Sequence, residues 1–242
     1  MKIICVGRNY VDHAKELNNP VPTEPMLFMK PSTAILNNNK PFYHPEWSEN
    51  IHYEAEIVLR ICKNGKYIQP EFAESYYDQI TLGIDFTARD IQDRCKAKGH
   101  PWEVAKAFDH SAVIGQFITK EDVDVQNIHF SLDKNGERVQ TGETKDMIFS
   151  FADLLVYASQ RFTLQVGDFI FTGTPAGVGK VVVGDELAGR VEGSELFRIQ
   201  VKWVIEGGAW ISGADFWGSP TDTSYRSFIN DAYFVINLKS EY

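Results

Sequence analysis

The stretch His52-Tyr-Glu-Ala-Glu-Ile-Val-Leu-Arg-Ile61 has the composition and the alternation of a β-strand. Glu54 and Glu56 lie two residues apart in it, so the pleat of a strand directs both carboxylates to one face. Two like charges on one face favour a bound cation. The same pattern also fits a solvated antiparallel strand with its acidic residues in water, and this segment alone favours that simpler interpretation.

A second segment, Gly7-Arg-Asn-Tyr-Val-Asp-His-Ala-Lys-Glu16, follows an apolar strand pattern at Ile3 to Val6 and is predicted to turn into a short helix. His13 and Glu16 are then i, i+3 neighbours on one helical face. A carboxylate in that position orients an imidazole and raises its basicity, as general-base activation of water requires. A surface His–Glu pair is the commoner meaning of this spacing.

A third segment, Gly83-Ile-Asp-Phe-Thr-Ala-Arg-Asp90, ends an apolar strand at Asp85 and continues into a charged helix from Ala88 to Lys98, for which Thr87 is the expected N-cap. Functional side chains are commonly placed where a strand ends. Asp85 is therefore a candidate third carboxylate.

These segments and Phe169-Ile-Phe-Thr-Gly-Thr-Pro-Ala-Gly-Val-Gly179 resemble the fumarylacetoacetate hydrolase family. The resemblance runs from about Lys2 to Trp203, with the motifs in the family's order and spacing. Within the family, Thr87-Ala-Arg-Asp-Ile-Gln92 and Lys98-Gly-His-Pro-Trp102 are most similar to the acylpyruvase and oxaloacetate decarboxylase branch. The resemblance implies the family's mixed β-sandwich roll and a homodimer.

The resemblance also implies a metal centre at Glu54, Glu56 and Asp85. Three carboxylates offer only hard oxygen ligands, which suit Mg²⁺, Mn²⁺ or Ca²⁺ better than zinc or copper. Mg²⁺ is the first expectation, because three protein ligands leave positions for water and for a substrate that binds through two oxygens. A 2-oxo acid offers such a pair in its carboxylate and adjacent keto oxygen.

The remaining site residues follow from the same resemblance. His13 with Glu16 is expected to activate water, and Lys106 to stabilise the enolate that forms when a C–C bond breaks beside the keto group. A surface position is the default for a lysine, but Ala105-Lys-Ala-Phe-Asp109 matches the family's buried active-site lysine. Five candidate substrate-binding residues lie in these motifs: Arg8, Arg89, Gln92, Gly173 and Thr174. A sixth, Lys30, lies in Lys30-Pro-Ser32, which follows a strand pattern and resembles another pocket-lining motif of the family.

The function implied is a metal-dependent C–C bond hydrolase. It would cleave acylpyruvates of the acetylpyruvate and fumarylpyruvate type to pyruvate and a carboxylic acid, and would also decarboxylate oxaloacetate. One alternative is an isomerase or decarboxylase that acts on a 2-oxo acid of aromatic catabolism. Another is a non-catalytic metal-binding protein of the same fold.

The composition of the chain limits the classes of partner that it is expected to bind. The 242 residues carry a net charge of -9 and a pI near 5.2, which argues against a nucleic-acid binder. No apolar run approaches the length of a membrane span, so no membrane partner is expected. The three cysteines lie far apart and form no metal or disulfide motif, which favours a cytoplasmic setting. The expected partner is a small 2-oxo acid.

Strand patterns outnumber helical ones, which predicts an α+β fold that is mainly β and mainly antiparallel. Asn64-Gly65 and Asn135-Gly136 are predicted hairpin turns. Apart from the helix after Asp85, helices are expected at Pro70 to Gln79 and at Ser150 to Arg161. Residues 1–205 are interpreted as the catalytic domain, and residues 206–242 as a C-terminal extension whose role stays open.

Overall fold

The structure is a computed structural model that describes residues 1–16, 20–37 and 39–203; the predicted extension 206–242 lies outside the described residues. The strands are β1 (Ile3–Gly7), β2 (Met26–Lys30), β3 (Ile35–Leu36), β4 (Phe42–His44), β5 (Ile51–Tyr53), β6 (Ala55–Ile61), β7 (Tyr77–Asp85), β8 (Thr87–Ala88), β9 (Ala112–Ile114), β10 (Ile118–Thr119), β11 (His129–Lys134), β12 (Glu137–Glu143), β13 (Phe169–Phe171), β14 (Gly179–Lys180), β15 (Glu186–Val191) and β16 (Ser194–Trp203). The α-helices are α1 (Val11–Glu16), α2 (Arg89–Lys98), α3 (Glu103–Lys106) and α4 (Phe151–Arg161), and 3-10 helices lie at Ser32–Ala34, Pro70–Tyr76, Lys120–Asp122 and Thr144–Asp146.

The strands form three sheets. An eight-stranded sheet has the order β2-β1-β13-β6-β7-β9-β3, with β10 paired to β7 outside that path. A five-stranded sheet has the order β12-β11-β15-β16-β4, and a three-stranded sheet the order β14-β5-β8. The pairs β1 with β13, β16 with β4 and β3 with β9 are parallel, and the other pairs are antiparallel. The predicted α+β fold, mainly β, is confirmed.

The two larger sheets share one apolar core. Leu82 and Ile84 of the eight-stranded sheet are fully buried in the same cluster as Leu132 and Phe197 of the five-stranded sheet. A backbone hydrogen bond of 2.8 Å from Gln116 to Leu196 also joins the two layers. Among the described residues, no helix is long and apolar enough to cross a membrane.

Two local predictions are confirmed in detail. Asn135 and Gly136 both have positive φ, 55° and 83°, and join β11 to β12 as a hairpin. Ser150 caps α4: its hydroxyl accepts from the Asp153 backbone N–H, and the Asp153 carboxylate accepts from the Ser150 backbone N–H. In both places the signal lies within a few consecutive residues.

Three local predictions are wrong. Asn64-Gly65 is not a hairpin turn, because Gly65 forms a bridge to Leu164 in a longer connection between β6 and β7. The helix expected at Pro70 to Gln79 is a 3-10 helix that ends at Tyr76, where pairing of the chain with β6 begins. Thr87 does not cap α2, because it belongs to strand β8. The N-cap of α2 is Ala88, which forms no side-chain hydrogen bond to the helix.

The strand predicted across the Glu54 region changes sheet there. The segment that ends at Tyr53 belongs to the three-stranded sheet, and the segment that begins at Ala55 belongs to the eight-stranded one. The Glu54 carbonyl between them accepts from the Asp85 N–H at 2.8 Å. This change of sheet brings Glu54 beside Asp85 at the carboxyl end of β7, and the candidate site lies at that point.

Candidate active site

Three carboxylates meet at the junction of the sheets. Glu54 lies at the sheet break, Glu56 on β6 opposite Gly83, and Asp85 at the end of β7. Each offers an oxygen within 4.8 Å of the others, and all three side chains are buried. The solvated strand that the sequence also allowed is excluded, because buried carboxylates need nearby positive charge or protons.

Three cations surround this carboxylate cluster. Lys106 Nζ donates to Glu54 Oε2 at 2.8 Å and to Asp85 Oδ2 at 2.7 Å. Arg89 pairs with the other oxygen of Glu54, and Lys30 Nζ lies 2.7 Å from Asp85 Oδ1. Within the described part of the chain, Glu56 forms no ion pair, and it accepts the Gly173 N–H at 2.7 Å.

The surroundings of Glu54 and Glu56 differ, and they shift the pKa values of these two carboxyl groups in opposite directions. Burial and the charges of Asp85 and Glu54 raise the pKa of Glu56 well above its usual range. Burial alone would also raise the pKa of Glu54, but Lys106 and Arg89 outweigh it and hold that pKa well below the usual value. Likewise, burial would lower the pKa of Lys106, and Asp85 with Glu54 raises it instead.

The donor set fits a divalent cation bound by oxygen. Asp85 Oδ1 is buried and, among the described residues, has no hydrogen-bond donor, because Lys30 Nζ is close but not aligned with it. Glu56 pairs with no cation in the ranges that the structure describes, and a nearby positive charge would lower its raised pKa. Glu54, Glu56 and Asp85 are therefore suited to hold Mg²⁺, Mn²⁺ or Ca²⁺.

His13 faces these acids from α1. Its Nδ1 lies 3.4 Å from Glu16 Oε2, and Glu16 in turn accepts the Gly177 N–H at 3.1 and 3.2 Å. Glu16 thus connects the helix to the loop after β13 and favours the His13 tautomer with its proton on Nδ1. Burial lowers the pKa of His13, so its imidazole stays neutral near pH 7 and its Nε2 can accept a proton.

Most of the predicted site residues line one cleft. Those that line the cleft are Arg8, His13, Glu54, Glu56, Asp85, Arg89, Gln92, Lys106 and Thr174. Arg89 also donates to Gln92 Oε1 at 2.7 Å, so the two predicted helix residues are held together as well as exposed to the cleft. Glu16 is not among the residues that line the cleft, but its carboxylate contacts His13, which is.

Lys30 and Gly173 were expected to bind substrate, and the structure places both behind the cleft. Lys30 is buried beneath Asp85, and its ammonium donates to Ser111 Oγ at 2.9 Å and to backbone carbonyls. The Gly173 N–H donates to Glu56. Gly173 has a φ of 100°, and a Cβ added there would lie 2.5 Å from the Asn9 Cβ, so only glycine fits. Lys30 contacts Asp85 and Gly173 contacts Glu56, so both residues touch metal-ligand candidates.

Sequence reasoning missed Gln140. This buried residue of β12 accepts the Ala55 N–H at 2.9 Å, between the two glutamates, and donates to Thr174 Oγ1 at 2.9 Å and to the Pro175 carbonyl at 3.1 Å. A backbone donor on one side and a backbone acceptor on the other determine which way the amide points. Thr174 Oγ1 therefore accepts from Gln140, and its own proton is left for a group in the cleft. No local pattern in the sequence marks this residue.

We expect Gln140→Glu to raise KM about tenfold, because the new carboxylate would draw the Thr174 proton away from the cleft and remove one hydrogen bond to substrate. Steady-state kinetics of Gln140→Glu, Thr174→Val and the double variant measure this effect. If the hydroxyl carries the effect, the double variant is no worse than Thr174→Val. Fully additive losses, or a KM that does not change, would contradict it.

Two further cleft residues, Lys96 of α2 and Trp102, were not assigned from the sequence. Lys96 belongs to a basic cluster with Arg94 and Lys98, which on a helix face is usually solvated but beside a pocket can attract an anionic ligand. Its Nζ lies 5.7 Å from the centre of the Trp102 ring, which holds the lysine side chain against the cleft wall.

The fold and the site define a β-rich protein with a buried carboxylate centre suited to a divalent cation, and an imidazole that faces it. The family described as fumarylacetoacetate (FAA) hydrolase C-terminal matches residues 2–202. The chain belongs to the fumarylacetoacetate hydrolase family.

Several relatives have known names. Oxaloacetate tautomerase FAHD1, mitochondrial, of Homo sapiens is 41% identical over 201 residues, which cover 82% of this chain and 91% of that protein. Oxaloacetate tautomerase YcgM of Escherichia coli is 40% identical over 197 residues, 81% of this chain and 90% of that protein. The solved fumarylpyruvate hydrolase of Pseudomonas aeruginosa, in complex with Mn²⁺ and pyruvate, is 37% identical with a TM-score of 0.80, and covers 84% of this chain and 90% of its own.

Proposed function

We propose that this protein is a divalent-metal-dependent enzyme that hydrolyses the C–C bond of acylpyruvates, and that it also decarboxylates oxaloacetate through the same enolate. The observation that carries the proposal is the meeting of three buried carboxylates, Lys106 and a neutral His13 in one cleft. The fumarylpyruvate hydrolase with 37% identity supports it, since that protein was solved with Mn²⁺ and pyruvate.

Glu54, Glu56 and Asp85 would hold the cation, Mg²⁺ by first choice. When bound, a divalent cation supplies Lewis-acid stabilisation of the negative charge that develops on the keto oxygen of a 2-oxo acid. The protein's own residues supply the rest. Thr174 donates its hydroxyl proton to the substrate carboxylate, and Arg89 and Gln92 orient the substrate from the other wall.

His13 acts as the general base in hydrolysis. Its Nε2 takes a proton from water while Glu16 holds Nδ1, and the hydroxide attacks the distal acyl carbonyl. The bond between that carbonyl carbon and the methylene then breaks, and the electron pair goes to the pyruvate enolate. The products are a carboxylic acid and, after protonation of the enolate, pyruvate. Lys106 lies beside the two acids with its charge available to the enolate oxygen.

A second candidate is the interconversion of the enol and keto forms of oxaloacetate. The relatives at 40–41% identity that are named oxaloacetate tautomerase favour it. This reaction moves a proton between C3 and the enol oxygen and needs no attack by water, so His13 would carry the proton instead of activating water. The isomerase alternative is supported by a solved neighbour, the 5-carboxymethyl-2-hydroxymuconate delta-isomerase of Mycobacterium smegmatis, which is 32% identical with a TM-score of 0.75 and covers 85% of this chain and 80% of its own.

The other expectations remain proposals of the same kind. We propose that residues 1–205 act as the catalytic domain, that the protein works as a homodimer, and that it resides in the cytoplasm, whereas the animal relatives are named as mitochondrial.

A substrate panel tests the proposal. With added Mg²⁺ or Mn²⁺, we expect pyruvate release from acetylpyruvate and fumarylpyruvate and a slower release from oxaloacetate, all stopped by EDTA and restored by excess metal. Loss of the enol absorbance of oxaloacetate, followed separately, measures tautomerisation. Rapid loss of the enol without pyruvate release from any substrate would replace hydrolysis by the tautomerase function. Inactivity in both assays would favour a non-catalytic protein.

A further inference from the structure

Two cations from different parts of the chain, Arg8 and Lys96, line the active-site cleft. Arg8 lies in the loop between β1 and α1, and Lys96 lies in the last turn of α2. Both line the cleft that contains the carboxylate cluster, and Trp102, Phe28 and Met26 line it with them. Arginine and lysine side chains at a protein surface are usually solvated, but the surroundings of Arg8 and Lys96 differ from that usual state.

Arg8 is held in a costly state. Its φ of 61° lies in the left-handed region, which residues other than glycine seldom adopt, and burial lowers the pKa of its guanidinium. Within the part of the chain that the structure describes, Arg8 has no hydrogen bond or ion pair through its side chain. Backbone strain at an unpaired charge that faces a cleft is typical of a residue kept for a ligand.

Lys96 is in a similar position. Its nearest acid is the exposed Asp93, 4.0 Å away, an i, i+3 pair of the kind that contributes little. Burial lowers the pKa of Lys96 first, and the charges of Arg89 and Arg8 lower it further while Asp93 opposes them. Arg8 and Lys96 are therefore close enough to repel each other, and Trp102 holds the lysine in place. Two like charges held together favour an ion of the opposite sign between them.

The inner site does not need these two charges. There, Lys30, Arg89 and Lys106 balance the three acids, and the divalent cation of the proposed function adds two positive charges. Thr174 and that excess charge suffice for the carboxylate next to the keto group. Arg8 and Lys96 are additional charges, and they line the cleft together with Met26, Phe28 and Trp102.

We propose that Arg8 and Lys96 form a remote-anion subsite for a second carboxylate, and that the enzyme therefore prefers dicarboxylic 2-oxo acids to those with a neutral acyl end. Fumarylpyruvate and oxaloacetate carry that second carboxylate, and acetylpyruvate does not. The Arg8 guanidinium donates two parallel hydrogen bonds to this carboxylate, and the Lys96 ammonium adds a positive charge. This subsite rests on the proposed function, because the inner site must bind the 2-oxo end.

Kinetics with two acylpyruvates test the subsite. Fumarylpyruvate and acetylpyruvate share the diketo acid that reacts, but the acyl end is –CH=CH–COO⁻ in the first and a methyl group in the second, so the comparison is between variants and unmodified protein on each substrate. We expect Arg8→Met and Lys96→Met each to lower kcat/KM for fumarylpyruvate at least tenfold more than for acetylpyruvate, while Lys96→Arg keeps most of the preference. Lys98→Met, an exposed charge on the same helix, is the control and should change neither value. Equal losses on both substrates would overturn the subsite.

Calorimetry separates failure of the subsite from failure of the proposed function. The Mg²⁺-loaded protein is titrated with 2-oxoglutarate and with 2-oxopentanoate, which have equal chain length and differ in the second carboxylate. We expect tighter binding of 2-oxoglutarate, with the difference lost in Lys96→Met. Equal affinities in the unmodified protein would overturn the subsite alone, and no binding of either compound would overturn the proposed function with it.

Discussion

Replacing Glu54, Glu56 or Asp85 by alanine is expected to abolish binding of Mg²⁺ and Mn²⁺ and all metal-dependent activity. Each carboxylate would supply one of three protein ligands, and the loss of one leaves too few charged oxygens for a hard cation. Titration calorimetry measures the affinity directly, and the rise in melting temperature on adding metal gives a second readout. Glu137→Ala, an exposed acid on β12, is the matched control.

Without metal, Asp85→Ala and a further variant, Glu56→Gln, should differ in stability, and this difference tests the charge arrangement. Asp85→Ala leaves Lys30 and Lys106 short of a buried partner and should cost about 3–5 kcal/mol of unfolding free energy. Glu56→Gln removes one of three crowded acids and keeps an acceptor for the Gly173 N–H, so we expect little loss. Metal affinity that is unchanged in all three alanine variants would rule out the site.

His13→Ala is expected to suppress acylpyruvate hydrolysis by roughly 10²- to 10⁴-fold, the range typical of a lost general base. Oxaloacetate decarboxylation should fall much less, because it needs a stabilised enolate and a leaving CO₂ but no attacking water. Steady-state kinetics on acetylpyruvate and oxaloacetate measure both losses. His100→Ala, at an exposed position after α2, is the control.

Lys106→Ala should damage both activities, because its charge serves the enolate that both routes share. Glu16→Gln should lower hydrolysis less than His13→Ala, since the glutamine still reaches Nδ1 with a weaker acceptor. An equal loss of hydrolysis and decarboxylation in His13→Ala would contradict this division of roles. It would indicate that His13 binds substrate or carries the proton of tautomerisation.

Several features follow from short stretches of sequence alone. The hairpin at Asn135-Gly136 and the capping box of Ser150 and Asp153 depend on residues within four positions of one another, so local chemistry decides them. The i, i+3 spacing of His13 and Glu16 likewise predicts the contact between their side chains. The family and the mainly β fold also follow from the sequence, because motif order and strand patterns extend along most of the chain.

Tertiary contacts overrode the local signals elsewhere. Asn64-Gly65 has a hairpin sequence, but its backbone pairs with the segment at Leu164, and Tyr77 enters a strand because β6 offers it partners. These partners lie far away in sequence, so no local propensity reports them.

The cleft was decided by the tertiary structure in the same way. The sequence identified the three carboxylates, but only the change of sheet at Glu54 brings them within 4.8 Å, and only the folded chain shows which cations face which acid. Lys30 and Gly173 lie in the right motifs yet stand behind the acids, and Gln140 reaches the site from another sheet. Sequence spacing determines what a strand or helix presents on each face. Whether a buried charge meets a partner, a backbone group or a substrate depends on which elements pack together.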